Sequence, residues 1–252
     1  MFGKVDGDGV LKNFGVKKYS MNGDGALISA PVAGVYASSQ PIENVFAGGV
    51  TDIAITSYRS AVVQIVAAGG FIAELRGKAV NCYSESKVTV TFASSAYNTV
   101  AYVGGFVGRM TGEAEYCYAN GDVSCNDKRN YASTHAGGFA GYVQGSEEKH
   151  AVVTSCFSFG NVLISGYKRY CGKSLGWSEY ADLNDLLYDN GVVLTVDYDG
   201  SQKKNTVECT EGSPEESTRL RSVQWLIQEL GFGEDVWTEE FGMPVLKIFS
   251  RN

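Results

Sequence analysis

The sequence predicts an all-β protein: a parallel, right-handed β-helix of about five turns, with a C-terminal helix-plus-strand segment as its cap. Three observations predict it. A glycine-centred block recurs at nearly constant spacing. The apolar runs, such as SKVTVTF and GVVLTVDYDG, are short and rich in β-branched and aromatic residues. No helical period is sustained within the repeating part.

The block is clearest at Gly69-Gly70-Phe71-Ile72-Ala73, Gly104-Gly105-Phe106-Val107-Gly108 and Gly137-Gly138-Phe139-Ala140-Gly141, with Gly172-Lys173-Ser174-Leu175-Gly176 as a degraded fourth copy. The steps are 35, 33 and 35 residues. A further glycine follows in the first three copies, at Gly77, Gly112 and Gly145. The second half of each unit reads NCYSESKV from Asn81, YCYANGDV from Tyr116, SCFSFGNV from Ser155 and LLYDNGVV from Leu186. The best copies span 69–90, 104–125 and 137–164, and the weak copy spans 172–195. In the third copy about six extra residues, near SEEKHA, separate the halves while both flanks keep register, as a solenoid loop would.

Upstream the pattern weakens. ENVFAGGVT (43–51) matches a second half, and its first half is either GALIS (25–29) or GVYAS (34–38). LKNFGV (11–16) reads as the tail of a still earlier unit. Downstream, residues 217–252 change character. Ser217 or Thr218 would cap a helix carrying Leu220, Val223, Leu226, Ile227 and Leu230 on one face, stopped by Gly231 or Gly233. MPVLKIF (243–249) reads as a final strand. Residues 1–216 are thus the repeats, and 217–252 are expected to cover the open end of the helix, whose strand edges would otherwise be unpaired.

One unit cannot bury its apolar face alone; stacked units can. Equivalent residues would then sit above one another. Phe71, Phe106, Phe139 and Leu175 are expected to form one interior column, Tyr83, Tyr118, Phe157 and Tyr188 a second, and Val88, Val123, Val162 and Val193 a third. The glycines would serve corners of positive φ or close approach between coils. Cys82, Cys117 and Cys156 share one position, filled by Leu187 in the fourth copy, which marks a small buried hydrophobe and free thiols. Cys125, Cys171 and Cys209 are off-pattern and leave room for one disulfide.

Gly-Gly-Phe-Val-Gly followed by Cys-Tyr-Ala-x-Gly-x-Val-Ser, as it stands at 104–124, resembles the GLUG motif. That repeat belongs to bacterial secreted and surface proteins, among them some immunoglobulin A peptidases and large adhesin-like proteins. The resemblance covers roughly residues 10–195. It implies a secreted or surface setting and a role outside catalysis, and it implies no particular ligand. The helix, Trp237 and Pro-Val-Leu also resemble the segment that often follows such repeats.

Composition narrows the function further. A formal net charge of -7 argues against nucleic acid and against an anionic membrane surface. No stretch of 18 apolar residues crosses a membrane, and the start, MFGKVDGDGV, lacks a signal peptide, so the protein either stays inside the cell or is a mature or excised segment of a longer chain. The resemblance to the GLUG repeat implies the second, an extracellular or surface segment with flanking domains. No cofactor, metal site or catalytic set is expected. The glycine pairs lack the context of a phosphate loop, and only His135 and His150 are available to activate a cysteine. DGDG (6–9) and NGDG (22–25) read as turns rather than calcium loops. The expected function is a non-catalytic structural or adhesive module presenting loops or a side face to a host or matrix glycan or protein. The alternative is a polysaccharide-degrading β-helix enzyme using Glu74, Arg76, Arg109 and Glu113 on one outer face. Tyr131, Tyr167 and Tyr170, outside the columns, are candidates for stacking on sugars.

Overall fold

The structure, a computed structural model, describes residues 2–24, 28–55, 64–93, 99–128, 133–197 and 206–250. It is a parallel β-solenoid of about five coils. Each full coil has three faces. Face 1 is built from Gln64–Gly69, Thr99–Gly104, Ser133–Gly137 and Lys168–Gly172; face 2 is built from Ile72–Leu75, Val107–Met110, Ala140–Gln144 and Leu175–Glu179. Face 3 is bent. In the second and third coils a short arm (Lys78–Val80, Glu113–Glu115) leads to another (Tyr83–Ser84, Tyr118–Ala119) and then to a longer one (Lys87–Phe92, Val123–Asp127). Coil sits on coil in register: Gly69, Gly104 and Gly137 align, as do Tyr83, Tyr118 and Phe157, and Val88, Val123 and Val162.

Alternation along the strands divides the interior into two cores. One lies between face 2 and the first arms of face 3. It holds Phe71, Phe106 and Phe139, stacked with ring centroids 4.7 and 5.0 Å apart, and the Cys82, Cys117, Cys156 row. The other lies between face 1 and the long arm of face 3, around Val88, Val123, Val162, Phe92 and Cys125. Burying each Phe contributes about 1.5–3 kcal/mol.

The bend in face 3 has a backbone cause. Asn13, Asn44, Asn81, Tyr116, Ser155 and Asp185 each stand two residues before the second arm or its equivalent, and all have φ between 50° and 58°. Asn and Asp tolerate this left-handed conformation; Tyr116 and Ser155 adopt it at a cost of about 1–2 kcal/mol each. Asn44 donates its amide to Asn13 Oδ1 at 3.1 Å, so the first two rungs are also linked by side chains. The repeated glycines act differently. None of Gly69, Gly70, Gly104, Gly105, Gly137 or Gly138 has positive φ. They are small because backbone fills the space: a Cβ on Gly104 would lie 2.1 Å from the Val107 carbonyl oxygen, and one on Gly105 2.2 Å from that of Gly138. Close approach is therefore their role, and the positive-φ corner belongs to non-glycine residues.

Several register expectations are corrected. Upstream, Ile28 pairs with Ala67 and Ala33 with Ile72, so the unit equivalent to Gly69–Ala73 is Ala30-Pro31-Val32-Ala33-Gly34, between GALIS and GVYAS. Val32 takes the Phe position and hides the match. In the fourth copy Gly172 aligns with Gly137, so Ser174 stands above Phe139 and Leu175 pairs with Ala140. Leu175 is fully buried but continues the Ile72, Val107, Ala140 row. Leu186 pairs with Cys156, Leu187 with Phe157 and Tyr188 with Ser158, so Leu187, not Tyr188, ends the aromatic column and Leu186 ends the cysteine row. A hydrogen-bonded turn from Asp189 to Val192 then shifts the chain the other way. Leu194 therefore pairs with Val162, and Val193 is 57% exposed. The SEEKHA insertion does loop out, closed by Ser146 N–H on the Lys149 carbonyl, with Gln144 and Val152 on either side still paired to the next coil.

The column of Tyr83, Tyr118 and Phe157 stacks at 5.0 Å but points out of the solenoid, one residue beyond the inward cysteines. It starts at Phe46, 5.1 Å from Tyr83, and the C-terminal segment covers it. That segment is two helices, α1 (Ser217–Arg221) and α2 (Val223–Leu230), and a hairpin of Trp237–Glu240 with Met243–Leu246. Ser222 breaks the expected single helix and caps α2 by accepting from Trp225 N–H; Gly231, with φ 73°, ends it. The segment runs along the side of the solenoid rather than over its end. Arg221 lies over Phe159, Phe232 meets Tyr116 and Phe157, Trp237 meets Tyr118 and Tyr83, and Phe249 meets Phe46. Tyr118 Oη donates to the Pro244 carbonyl at 2.6 Å, and Trp237 Nε1 donates to Asn81 Oδ1 at 3.1 Å. The exposed rings of the column, not the open strand edges, dictate where it docks.

Phe106→Ala removes the central ring of the inner stack and should cost about 3–5 kcal/mol, read as a lowered urea midpoint. A loss below about 1 kcal/mol would mean that the column is not a packed core.

Candidate functional site

Faces 1 and 2 meet at a re-entrant angle. Outward residues of face 1 (Tyr102, His135, Tyr170) therefore touch outward residues of face 2 (Arg109, Tyr142, Trp177). Glycine allows the approach: a Cβ at Gly141 would lie 2.4 Å from Val103 N, and one at Gly176 2.7 Å from Ala136 N. The result is a notch running along the solenoid. Toward its N-terminal end it is floored by the buried Ala30, Ala67 and Ala73, and toward its C-terminal end it fills with rings.

His135 stacks on Tyr170 at 4.4 Å with planes 6° apart, and Tyr102 stacks on Tyr142 at 5.0 Å. Trp177 meets Tyr170 at 5.4 Å, edge to face. Charges frame the rings. The Arg109 guanidinium lies 5.9 Å from the Tyr102 ring centre and donates to Gln144 Oε1 at 2.7 Å. Lys168 Nζ is 5.1 Å above Tyr170. Tyr142 Oη donates to Glu179 Oε2 at 2.9 Å, and burial together with that carboxylate pushes the Tyr142 phenol up. Glu74, 4% exposed and in register with Arg109, is held by Arg76 at 2.5 Å. His135 Nδ1 and Arg109 Nε are two of the three buried side-chain polar atoms without a hydrogen-bond partner among the described residues.

Of the residues proposed for carbohydrate chemistry, Glu74, Arg76 and Arg109 come together here. Glu113 does not: it lies beyond the Gly112 corner on face 3, 3.4 Å from Lys78 Nζ, which also binds Glu115. Tyr170 joins the notch; Tyr167 stands three residues earlier, outside the strand that carries Tyr170, and Tyr131 lies outside the described residues. Tyr102, Tyr142 and Trp177 were not singled out from sequence, and His135 was weighed only as a base for a cysteine. Their signal is positional: Tyr102, His135 and Tyr170 each stand two residues before a glycine of the repeat.

The thiols form no site with histidine. Cys82, Cys117 and Cys156 donate to the carbonyls of Val80, Glu115 and Thr154, at 3.1 to 3.3 Å. His150 pairs instead with Asp182 at 2.8 Å. Burial pushes the Cys82 and Cys156 thiols well up. At Cys117 burial is opposed by the flanking Cys156 and Cys82 thiols, so the middle of the row is the easiest to ionise. Cys125, Cys171 and Cys209 are buried as well, and no disulfide joins them.

Ellman's reagent should therefore find no reactive thiol in the native protein over minutes and six after denaturation. One fast-reacting native thiol would contradict the burial of the rows. The His135 ring gives a second expectation. Burial, and then Lys168, hold its pKa down at about 3. The unfolded chain takes up that proton near pH 6.5. Between pH 6.5 and about 3 the unfolded state thus binds more protons, and stability falls as pH falls, by up to roughly 1.4 kcal/mol per unit from this group. His135→Phe should flatten the fall between pH 6 and 4; parallel curves for parent and variant would refute the assignment.

No family model matches the chain, and no curated protein matches it. Among solved structures, the chain is similar to a protein from Bacteroides ovatus called a "putative immunoglobulin A1 protease", with a TM-score of 0.55 and 18% identity over 98% of this chain and 78% of that one. At that identity the likeness is one of fold: both chains share the β-solenoid architecture.

Proposed function

We propose that this chain is a non-catalytic structural or adhesive module of a larger bacterial surface or secreted protein, acting as a stiff rod that presents a side face to a host or matrix glycan or protein. The observation that carries the reading is the notch: outward aromatic and charged side chains are gathered along one side of the scaffold. The resemblance of the repeat to the GLUG motif, and the fold shared with a bacterial protein named for immunoglobulin A1, support a secreted or surface setting. The regular ladders support the rod, because every coil is held by its neighbours over three faces.

A polysaccharide-degrading enzyme is the second reading, favoured by the buried Glu74 with Arg76 and Arg109 beside it. In the first reading Glu74 serves only to hold Arg76, and the purified chain leaves uronate-containing and neutral polysaccharides intact. Release of reducing or unsaturated ends, lost in Glu74→Gln, would establish the second. Antibody to the chain should label intact cells of the bacterium that makes it, and in-frame deletion should lower adhesion to host matrix. Labelling only after lysis would reject the surface setting; labelling without an adhesion defect would leave the rod alone.

A further inference from the structure

We propose that the notch between faces 1 and 2 binds a neutral glycan chain lying along the solenoid axis, with Trp177 as its stacking platform. This rests on reading the molecule as a module that presents a side face, and it names the face and the ligand class.

Trp177 stands on Leu175–Glu179, the last strand in the order of its sheet, so among the described residues no strand continues its row. Tyr170 meets the indole edge to face, and Nε1 reaches Glu179 Oε1 at 3.4 Å. The indole is half-buried, so part of its surface remains accessible to a partner. A pyranose ring has an apolar C–H face suited to that surface and a rim of hydroxyls that need donors and acceptors. The walls supply both, from Arg109, Gln144, Tyr170, Glu179 and Lys168 within the same few coils. Coils repeat every ~4.8 Å, close to the length of one sugar unit, so successive coils can meet successive sugars.

Two further observations point to a ligand. His135, 8% exposed, carries a buried Nδ1 with no partner, and Arg109 carries a buried Nε with none. Unpaired buried polar atoms are costly, and among the described residues both belong to side chains of the notch that meet the Tyr102 ring. Charge selects against acidic polymers. Arg76, Arg109 and Lys168 are nearly balanced by Glu74 and Glu179, within a chain of net charge -7. An anionic chain would gain little locally and be repelled at long range.

The test is affinity electrophoresis of the purified chain through native gels containing soluble xylan, galactomannan or mixed-linkage glucan, with polygalacturonate as the acidic counterpart. At least one neutral polysaccharide should retard the protein. Trp177→Ala should weaken that retardation at least about tenfold, and Tyr170→Ala should weaken it as well. Tyr180→Ala, at a 48% exposed ring outside the notch, should not. Unfolding midpoints show whether each variant is folded, and Tyr170→Ala carries the test if Trp177→Ala is not. No retardation by any neutral polysaccharide, retardation by polygalacturonate alone, or equal loss in Trp177→Ala and Tyr180→Ala each overturns the proposal. Surface labelling of intact cells is read separately, so a failed glycan site and a failed surface setting give different results.

Discussion

Coil-on-coil hydrogen bonding in register is the constraint on which everything else depends. Once Gly69, Gly104 and Gly137 are paired, every residue in a coil sits on its counterpart, and each side chain must be acceptable to its own kind. Parallel aromatic stacks are the favourable outcome: each pair adds about 0.5–1.5 kcal/mol beyond burial. A stacked row of buried charge would be the unfavourable one, and face 2 avoids it by alternating Glu74, Arg109, Tyr142 and Trp177 along its outward row. The notch inherits its mixture of rings and charges from that rule.

Much of this was legible in the sequence because a repeat is compared with itself. Phe71, Phe106 and Phe139, and Val88, Val123 and Val162, recur with the right neighbours, and their columns follow from spacing alone. Direction was less legible. Tyr83 and Cys82 are adjacent apolar residues, and only one of them can face inward. The sequence pattern offers no way to choose, since the outward one is buried too, by a segment more than a hundred residues later. The left-handed corner was also invisible: half of its residues are not Asn, and the glycines drew attention to positions whose requirement is space. In the fourth copy the register has already shifted at Tyr188, and the match at Val193 fails because Asp-Asn-Gly, which resembles the Ala-Asn-Gly two coils earlier, forms a true turn. The candidate site was half legible. Glu74, Arg76 and Arg109 stood out by charge, whereas the rings beside them required knowing that faces 1 and 2 close on each other.

The lateral C-terminal segment changes what kind of solenoid this is. In a simple stack each coil is coupled only to the two beside it. Here a single stretch touches the coils of Phe159, Tyr118, Tyr83 and Phe46 in turn, and ties its own end to one of the earliest coils. Coils that would otherwise fray one at a time are bound to open together, which raises the cooperativity of the whole.

The same arrangement imposes an order in time. During synthesis the coils emerge first, and the rings of Phe46, Tyr83, Tyr118 and Phe157 form a greasy stripe with nothing to cover it until Trp237 and Phe249 arrive. A chain still threading through a narrow exit therefore holds an unlocked ladder, adhesive to chaperones and to other nascent copies. Closure waits until residues 217–249 have left the ribosome.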